Sequence, residues 1–341
     1  MRTFVTRAGA ATLLTAALGA LSPIGTSAAS AASLACGDVP RDASRIAVAG
    51  GSLTEILYEL GEQDRIVAVD RTATYPPAAR ELPQLGYVRD ISAEGLLSMQ
   101  PTFVLGEHDT GPPTVLKQLE RLDVDVLLVP EEFSVDGIRA KIRCVAAAVG
   151  RASDGEALAR ELLAGVADRT AAQVERAAVD DSAPAGIVLL GLREGAPVAA
   201  GADTSGEGLL RMAGVRNLMT FDGWKPVSVE AMAAARPEFI VIPERGVRMA
   251  GGVDALLEHP ALRLTPAAEQ RRVVSMDGMA MLGFGPRTAA AAAQLRARLI
   301  DEGLLDAPGP TVGALSGYDN ADQAGAAPGD AGVNPVAEGS E

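Results

Sequence analysis

A short segment of this chain occurs twice, 136 positions apart, and it limits the folds open to the rest. The first copy, Ile91-Ser92-Ala93-Glu94, runs on to Pro101-Thr102-Phe103-Val104-Leu105. The second, Val227-Ser228-Val229-Glu230, runs on to Pro237-Glu238-Phe239-Ile240-Val241. Each copy reads as one unit, with Ser as helix N-cap, Glu in the first turn, then a stop and a proline leading into a buried strand. A helix–strand unit repeated at so long a period points to two similar α/β lobes and away from a solenoid. The 341 residues suffice for two cores.

The flanking sequence fits that plan. In the first lobe Arg45–Ala49 reads as a buried strand, Gly50-Gly51-Ser52 turns it into a helix over Leu53–Leu60, and Ile66–Val69 and Val124–Val129 supply further strands. Strands and helices alternating at these lengths imply parallel sheet with right-handed crossovers. Residues 152–179 lack proline and carry Leu158, Leu162, Leu163, Val166 and Val174 at helical spacing. They read as one helix of roughly 25 residues, about 38 Å long, either a stiff spine between the lobes or a surface helix of the first. In the second lobe Gly186–Leu192, Val198–Ala200 and Arg272–Met276 read as strands, Glu207–Ala213 as a helix, and Thr288–Ile300 as the closing helix. The resulting division is an export segment at 1–35, a first lobe at 36–150, a linking helix at 151–181, a second lobe at 182–306 and an acidic tail at 307–341.

The ends of the chain carry their own signals. Arg2 and Arg7 precede an apolar run over Ala8–Leu21 that is too short to span a bilayer, and Ala29-Ser30-Ala31 offers a small-x-small cleavage site. Cys36 follows Ala35 as in a lipobox, although Ser33 stands where leucine is usual. With Cys144 the only other cysteine, a Cys36–Cys144 disulfide in an exported protein is the competing reading, and the two exclude each other. From Pro308 the chain is rich in Gly, Ala, Pro and Asp, with no Lys or Arg, a composition expected to stay disordered.

Net charge is −14, which argues against nucleic acid or an anionic membrane surface as principal partner. An anionic ligand must therefore be held by local cations. No nucleophile elbow, P-loop or dinucleotide fingerprint is present, and His108 and His259 are too few for a zinc or manganese centre. An enzyme is unsupported.

In open parallel sheets ligands sit at the carboxyl ends of strands. Tyr75, His108, Arg193 and Arg245 each follow a predicted strand. Tyr75 lies on a loop stiffened by Pro76 and Pro77, and a phenolate is a hard ligand suited to ferric iron, including the iron of haem. Arg71, four residues earlier, would favour the anion; the plain alternative is a surface phenol. His108 reads as a second axial ligand, a distal contact or an ordinary loop histidine. Lys225, Arg245 and Arg248 suit the carboxylates of a bound anion. Met276, Met279, Met281 and Phe284 suit either a flat apolar ligand or core packing. Glu94 and Glu230 are stabilised by the helix dipole, and two equivalent acidic knobs also suit docking on a two-fold membrane partner.

Several segments together resemble the substrate-binding component of bacterial ABC haem importers: Val48–Ile56, Tyr75-Pro76-Pro77-Ala78-Ala79-Arg80, Ser92–Leu97, Gly111-Pro112-Pro113, and Met276-Asp277-Gly278 through Leu282-Gly283-Phe284-Gly285-Pro286-Arg287. The resemblance spans about residues 44 to 300. It implies two Rossmann-like lobes bridged by one long helix, with haem (haem b as transported ligand) in the cleft between them. Tyr75 then matches the family's iron-binding tyrosine, and Glu94 and Glu230 match the glutamates of related vitamin B12 and siderophore binders that salt-bridge to transporter arginines. Trp224 stands where many relatives carry Tyr, and His108 is not usual at its position. The expectation is an exported, monomeric, non-enzymatic haem carrier serving an ABC permease dimer. Tyr75 holds iron, Arg71, Lys225, Arg245, Trp224, Met279 and Met281 contact haem, and His108 is the candidate second ligand. A ferric siderophore or corrinoid is the alternative ligand on the same fold.

Overall fold

The computed structural model describes residues 36–164 and 183–306. The export segment, the acidic tail and the linking helix beyond residue 164 lie outside the described residues. The chain divides into two compact units with the boundary at Leu163/Ala164.

The first unit is built on a four-stranded, all-parallel sheet. Strands β1 (Ile46–Ala49), β2 (Ile66–Val69), β5 (Phe103–Glu107) and β6 (Asp125–Val129) lie in the order β2-β1-β5-β6. A short hairpin, β3 (Gly86–Tyr87) and β4 (Asp90–Ile91), stands beside them. Helices α1 (Gly51–Glu59), α2 (Ala93–Ser98), α3 (Pro113–Arg121) and α4 (Val135–Ala148) make the connections. β1 is buried throughout and reads Ile-Ala-Val-Ala, the apolar run of a strand covered on both faces. α5 (Ala152–Leu162) begins where the linking helix was expected, and Gly155 lets it close on Ala146 of α4, whose Cβ would stand 2.3 Å from an added methyl.

The second unit departs from an all-parallel plan. Its strands are β7 (Ala185–Arg193), β8 (Ala196–Ala200), β9 (Arg216–Asn217), β10 (Trp224–Pro226), β11 (Ile240–Pro243) and β12 (Val273–Met276). β9, β7, β11 and β12 form the parallel core, while β8 pairs antiparallel with β7 and β10 antiparallel with β8 at the edge. The reason is the link Glu194-Gly195, both with positive φ, which is too short for a crossover and folds β7 back on itself as a hairpin. The helices are α6 (Ser205–Ala213), α7 (Val229–Ala235), α8 (Glu244–Met249), α9 (Val253–Leu257), α10 (Pro266–Glu269), α11 (Gly278–Leu282) and α12 (Thr288–Asp301). The core gathers Ile187, Leu189, Met232, Ile240, Ile242, Leu256 and Leu262, all with no exposed surface.

The two copies of the repeat fold alike. The Ser92 hydroxyl accepts from Gly95 N–H at 3.1 Å and the Ser228 hydroxyl from Ala231 N–H at 3.2 Å, opening α2 and α7. Leu96 and Met232 anchor the two helices, and Phe103 and Phe239 are fully buried where the following strands begin. Cys36 and Cys144 form a disulfide with Cα atoms 5.4 Å apart, tying the N-terminal segment to α4. That pairing occupies the thiol which lipid attachment to Cys36 would need.

Candidate functional site

The strand order of the first sheet reverses between β1 and β5, and there the loops leaving their carboxyl ends diverge. β1 ends at Gly50, whose φ of 152° is open to glycine and whose added Cβ would come within 2.6 Å of Glu107. Gly50 N–H donates to Asp70 Oδ1 at 3.0 Å and Gly51 N–H to Thr72 Oγ1 at 2.8 Å, fixing the end of β2 to the start of α1. Beyond it, Arg71 N–H donates to Gly86 O at 2.8 Å, and Gly111 exchanges backbone hydrogen bonds with Val88 at 3.0 Å and Ile91 at 2.9 Å. The loops after β2 and β5 and the β3–β4 hairpin are thereby stitched into one surface.

Tyr75 lies on this surface, 41% exposed, in the loop after β2, and the Tyr75–Pro76 peptide is cis. His108 follows β5 directly and is exposed. Arg71 is also exposed, but its guanidinium carbon sits 5.9 Å from the centre of the Tyr87 ring, with Arg89 at 5.6 Å from the same ring. Arg89 further donates to the Tyr87 hydroxyl and pairs with Asp109. Two cations on one aromatic ring give the rim the local positive charge that the chain as a whole lacks. Tyr87 and Arg89 were not singled out in the sequence. Tyr87 ends β3 and Arg89 lies in the turn that follows, a pairing that strand periodicity does not reveal.

Beneath the rim lies a buried polar cluster that the sequence also did not announce. Lys141, 1% exposed, pairs with Glu131 at 2.6 Å and donates to Ser52 Oγ at 3.2 Å, while Ser52 donates to Glu107 at 2.8 Å. Burial pushes the Glu131 carboxyl up to about 7 against the pull of Lys141, and it raises Glu107 and Asp70 as well. Asp109 Oδ1 and Glu131 Oε1 are buried with no hydrogen-bond partner among the described residues. The hint lay in Lys141 itself, three residues after Ile138 and one before Ile142 on the apolar side of α4.

In the second unit, Arg245 falls in the first turn of α8, just past β11, and makes no ion pair among the described residues. Arg248 pairs with Glu244 at 3.6 Å. Lys225 is exposed with its ammonium 5.5 Å from the Phe221 ring centre. Trp224, on the edge strand β10, pairs with Ala200, and its ring lies 3.1 Å from where a Cβ on Gly206 would be, so it packs onto α6. Met279 is half-buried. Met281 has no exposed surface, so it takes the core role and is corrected from ligand contact to packing. His259 is structural: its Nε2–H donates to Gly195 O at 2.8 Å and its Nδ1 accepts from Ala261 N–H at 3.2 Å.

Glu94 and Glu230 are exposed in the first turns of α2 and α7. The Glu230 carboxyl is held below its usual range by its own backbone N–H and by the Ser228 hydroxyl.

Comparison with known proteins agrees with this arrangement. Residues 46–280 match the family described as periplasmic binding protein. A periplasmic heme-binding protein, BhuT, solved in complex with two hemes, is 39% identical, with 75% of this chain and 98% of that chain covered and a TM-score of 0.67. RhuT, the periplasmic heme-binding protein of Roseiflexus sp. RS-1, is 36% identical over 76% of this chain and 99% of its own, with a TM-score of 0.70. The vitamin B12-binding protein of Pectobacterium carotovorum is 28% identical over 93 residues, 27% of this chain. That match spans only 33% of the B12-binding protein's length.

Proposed function

This chain belongs to the periplasmic binding protein family, and we propose that it is an extracytoplasmic carrier that captures haem and delivers it to the permease of an ABC importer. The observation that carries the reading is Tyr75: an accessible phenol at the carboxyl edge of the first sheet, on a rim that bears Arg71 and Arg89. Ferric iron prefers a hard anionic oxygen, which a phenolate supplies. Likeness to heme-binding proteins over nearly their whole length supports the same ligand.

In this reading haem b is held with its iron on the Tyr75 phenolate. Arg71 and Arg89 on one lobe and Lys225 and Arg245 on the other are the cations available to its two propionates. His108, exposed at the end of β5, is the candidate second ligand for a six-coordinate iron. Glu94 and Glu230 would meet arginines on the two halves of the permease, and the carrier would act as a monomer.

Titration of the purified protein with hemin tests the proposal: a saturable spectrum with the visible bands of a tyrosinate-ligated ferric haem is expected. A featureless, non-saturating titration would sink it. The partial likeness to vitamin B12-binding proteins makes a corrinoid or ferric siderophore the second reading; cyanocobalamin quenching the single tryptophan, with no response to hemin, would favour it.

A further inference from the structure

β7 carries one residue more than its partner. Leu189 faces Ala199 and Gly191 faces Val198, so Leu190 is the extra residue of a β-bulge. A bulge re-aims a side chain, and such features gather beside binding sites. Leu190 is 49% exposed although the five residues before it are all buried. The register of β7 with β11, Val188 opposite Val241, carries Leu190 to the level of Pro243, where β11 ends and α8 begins. α8 then packs onto the bulge through glycine. Gly246 allows an approach in which an added Cβ would stand 3.1 Å from Leu190 O, and Gly191 has a φ of 149° and faces Gly246 Cα at 3.7 Å from its own missing Cβ. One turn on, Met249 is 70% exposed. Arg193 ends β7 and Arg245 lies in the first turn of α8, both exposed. Two large apolar side chains are thus held open at the carboxyl edge of the second sheet, with two cations on the same two elements.

We propose that Leu190 and Met249 form the second lobe's apolar contact for the porphyrin, with Arg193 and Arg245 receiving its carboxylates. The proposal rests on the haem-carrier reading, and charge complementarity selects the occupant: a flat apolar body with anionic arms matches Leu and Met beside two exposed arginines that make no ion pair among the described residues. It moves the thioether contact from Met281, which is core, to Met249.

Leu190→Ser and Met249→Gln, with Leu122→Ser as an exposed apolar control on the first unit, are titrated with hemin and monitored for haem loss to excess apomyoglobin. Each site variant is expected to weaken hemin binding roughly 5- to 30-fold, while the Soret position stays at the wild-type value because the tyrosinate ligand is untouched. The control should bind as wild type. Wild-type affinity in both site variants overturns the proposal and leaves the haem reading standing. A wild-type protein with no saturable hemin spectrum overturns both. If Leu190→Ser lowers the melting temperature, Met249→Gln, on an exposed helix position, decides alone.

Discussion

Gln100 and Arg236, 136 positions apart, hold the same left-handed backbone, with φ of 50° and 49°. Both are exposed, both close the helix of their repeat copy, and both precede a proline, Pro101 and Pro237, that starts the path into a buried strand. The lobes therefore share a helix stop as well as four side chains. A non-glycine residue in this region costs about 1–2 kcal/mol, partly offset because glycine gains more freedom in the unfolded chain. Gln100→Gly and Arg236→Gly are each expected to stabilise by about 0.5–1 kcal/mol in urea unfolding, and additively, since the sites sit in different units. Destabilisation by either would mean that the side chain makes a contact worth more than the backbone strain.

Tyr75→Phe removes one oxygen and keeps the ring. If that oxygen holds the iron, hemin affinity should fall by at least tenfold and the Soret band should move away from its tyrosinate position. Arg71→Ala, which empties one side of the Tyr87 ring without touching the ligand atom, should weaken binding by a smaller factor and leave the band in place. Equal hemin spectra for Tyr75→Phe and wild type would remove Tyr75 from the iron.

The buried Lys141–Glu131 pair makes a pH prediction with a definite sign. The Glu131 carboxyl titrates at about 7 in the fold against about 4.3 for an unperturbed Glu. The folded state thus binds the proton more tightly. Its contribution to stability is complete below about pH 4.3 and is lost as pH rises through about 7. Glu107 and Asp70, also raised by burial, act in the same direction. Unfolding free energy is expected to fall by on the order of 1–3 kcal/mol between pH 5 and 8, and Glu131→Gln should flatten part of that slope. A slope unchanged by Glu131→Gln would assign it to other groups.

The Cys36–Cys144 bond closes a loop with a sequence separation of 108. Loops of this size give roughly 2–5 kcal/mol, chiefly by restricting the unfolded chain. Reduction, or Cys36→Ser with Cys144→Ser, should lower the melting temperature by several degrees while leaving hemin binding near wild type, because neither cysteine is among the proposed haem contacts. Unchanged melting on reduction would show that the N-terminal segment is held by other contacts, such as Arg41 with Asp125 at 2.9 Å.

What the sequence made legible was whatever depends on short-range pattern. The repeat named its own N-caps, Ser92 and Ser228, and the apolar runs of β1, β2 and β12 placed those strands to within a residue. What it hid depends on partners distant along the chain. Arg71 was matched to Tyr75 because four residues separate them, and what no local pattern announced is that its guanidinium also sits over the Tyr87 ring. Met281 and Met249 are alike as letters; only the fold buries one and exposes the other. The pairing of β8 with β7 turned on two residues of link, Glu194-Gly195, whose positive φ values no apolar count records.

Glu94 and Glu230 carry the last prediction. Each sits in the first turn of a helix whose opening is fixed by a serine cap, so the carboxylate is presented at a set height on its own lobe. For Glu230 the local hydrogen bonds favour the anion. If the pair docks on permease arginines, Glu94→Arg or Glu230→Arg replaces attraction with repulsion at one half of the contact. Each variant should then lower haem delivery into proteoliposomes holding the cognate importer by about tenfold or more. The double variant should nearly abolish delivery, and all three should bind hemin as wild type does. Loss of delivery in one single variant and not the other would show that only one lobe engages through this helix. Normal delivery in the double variant would remove these glutamates from the interface.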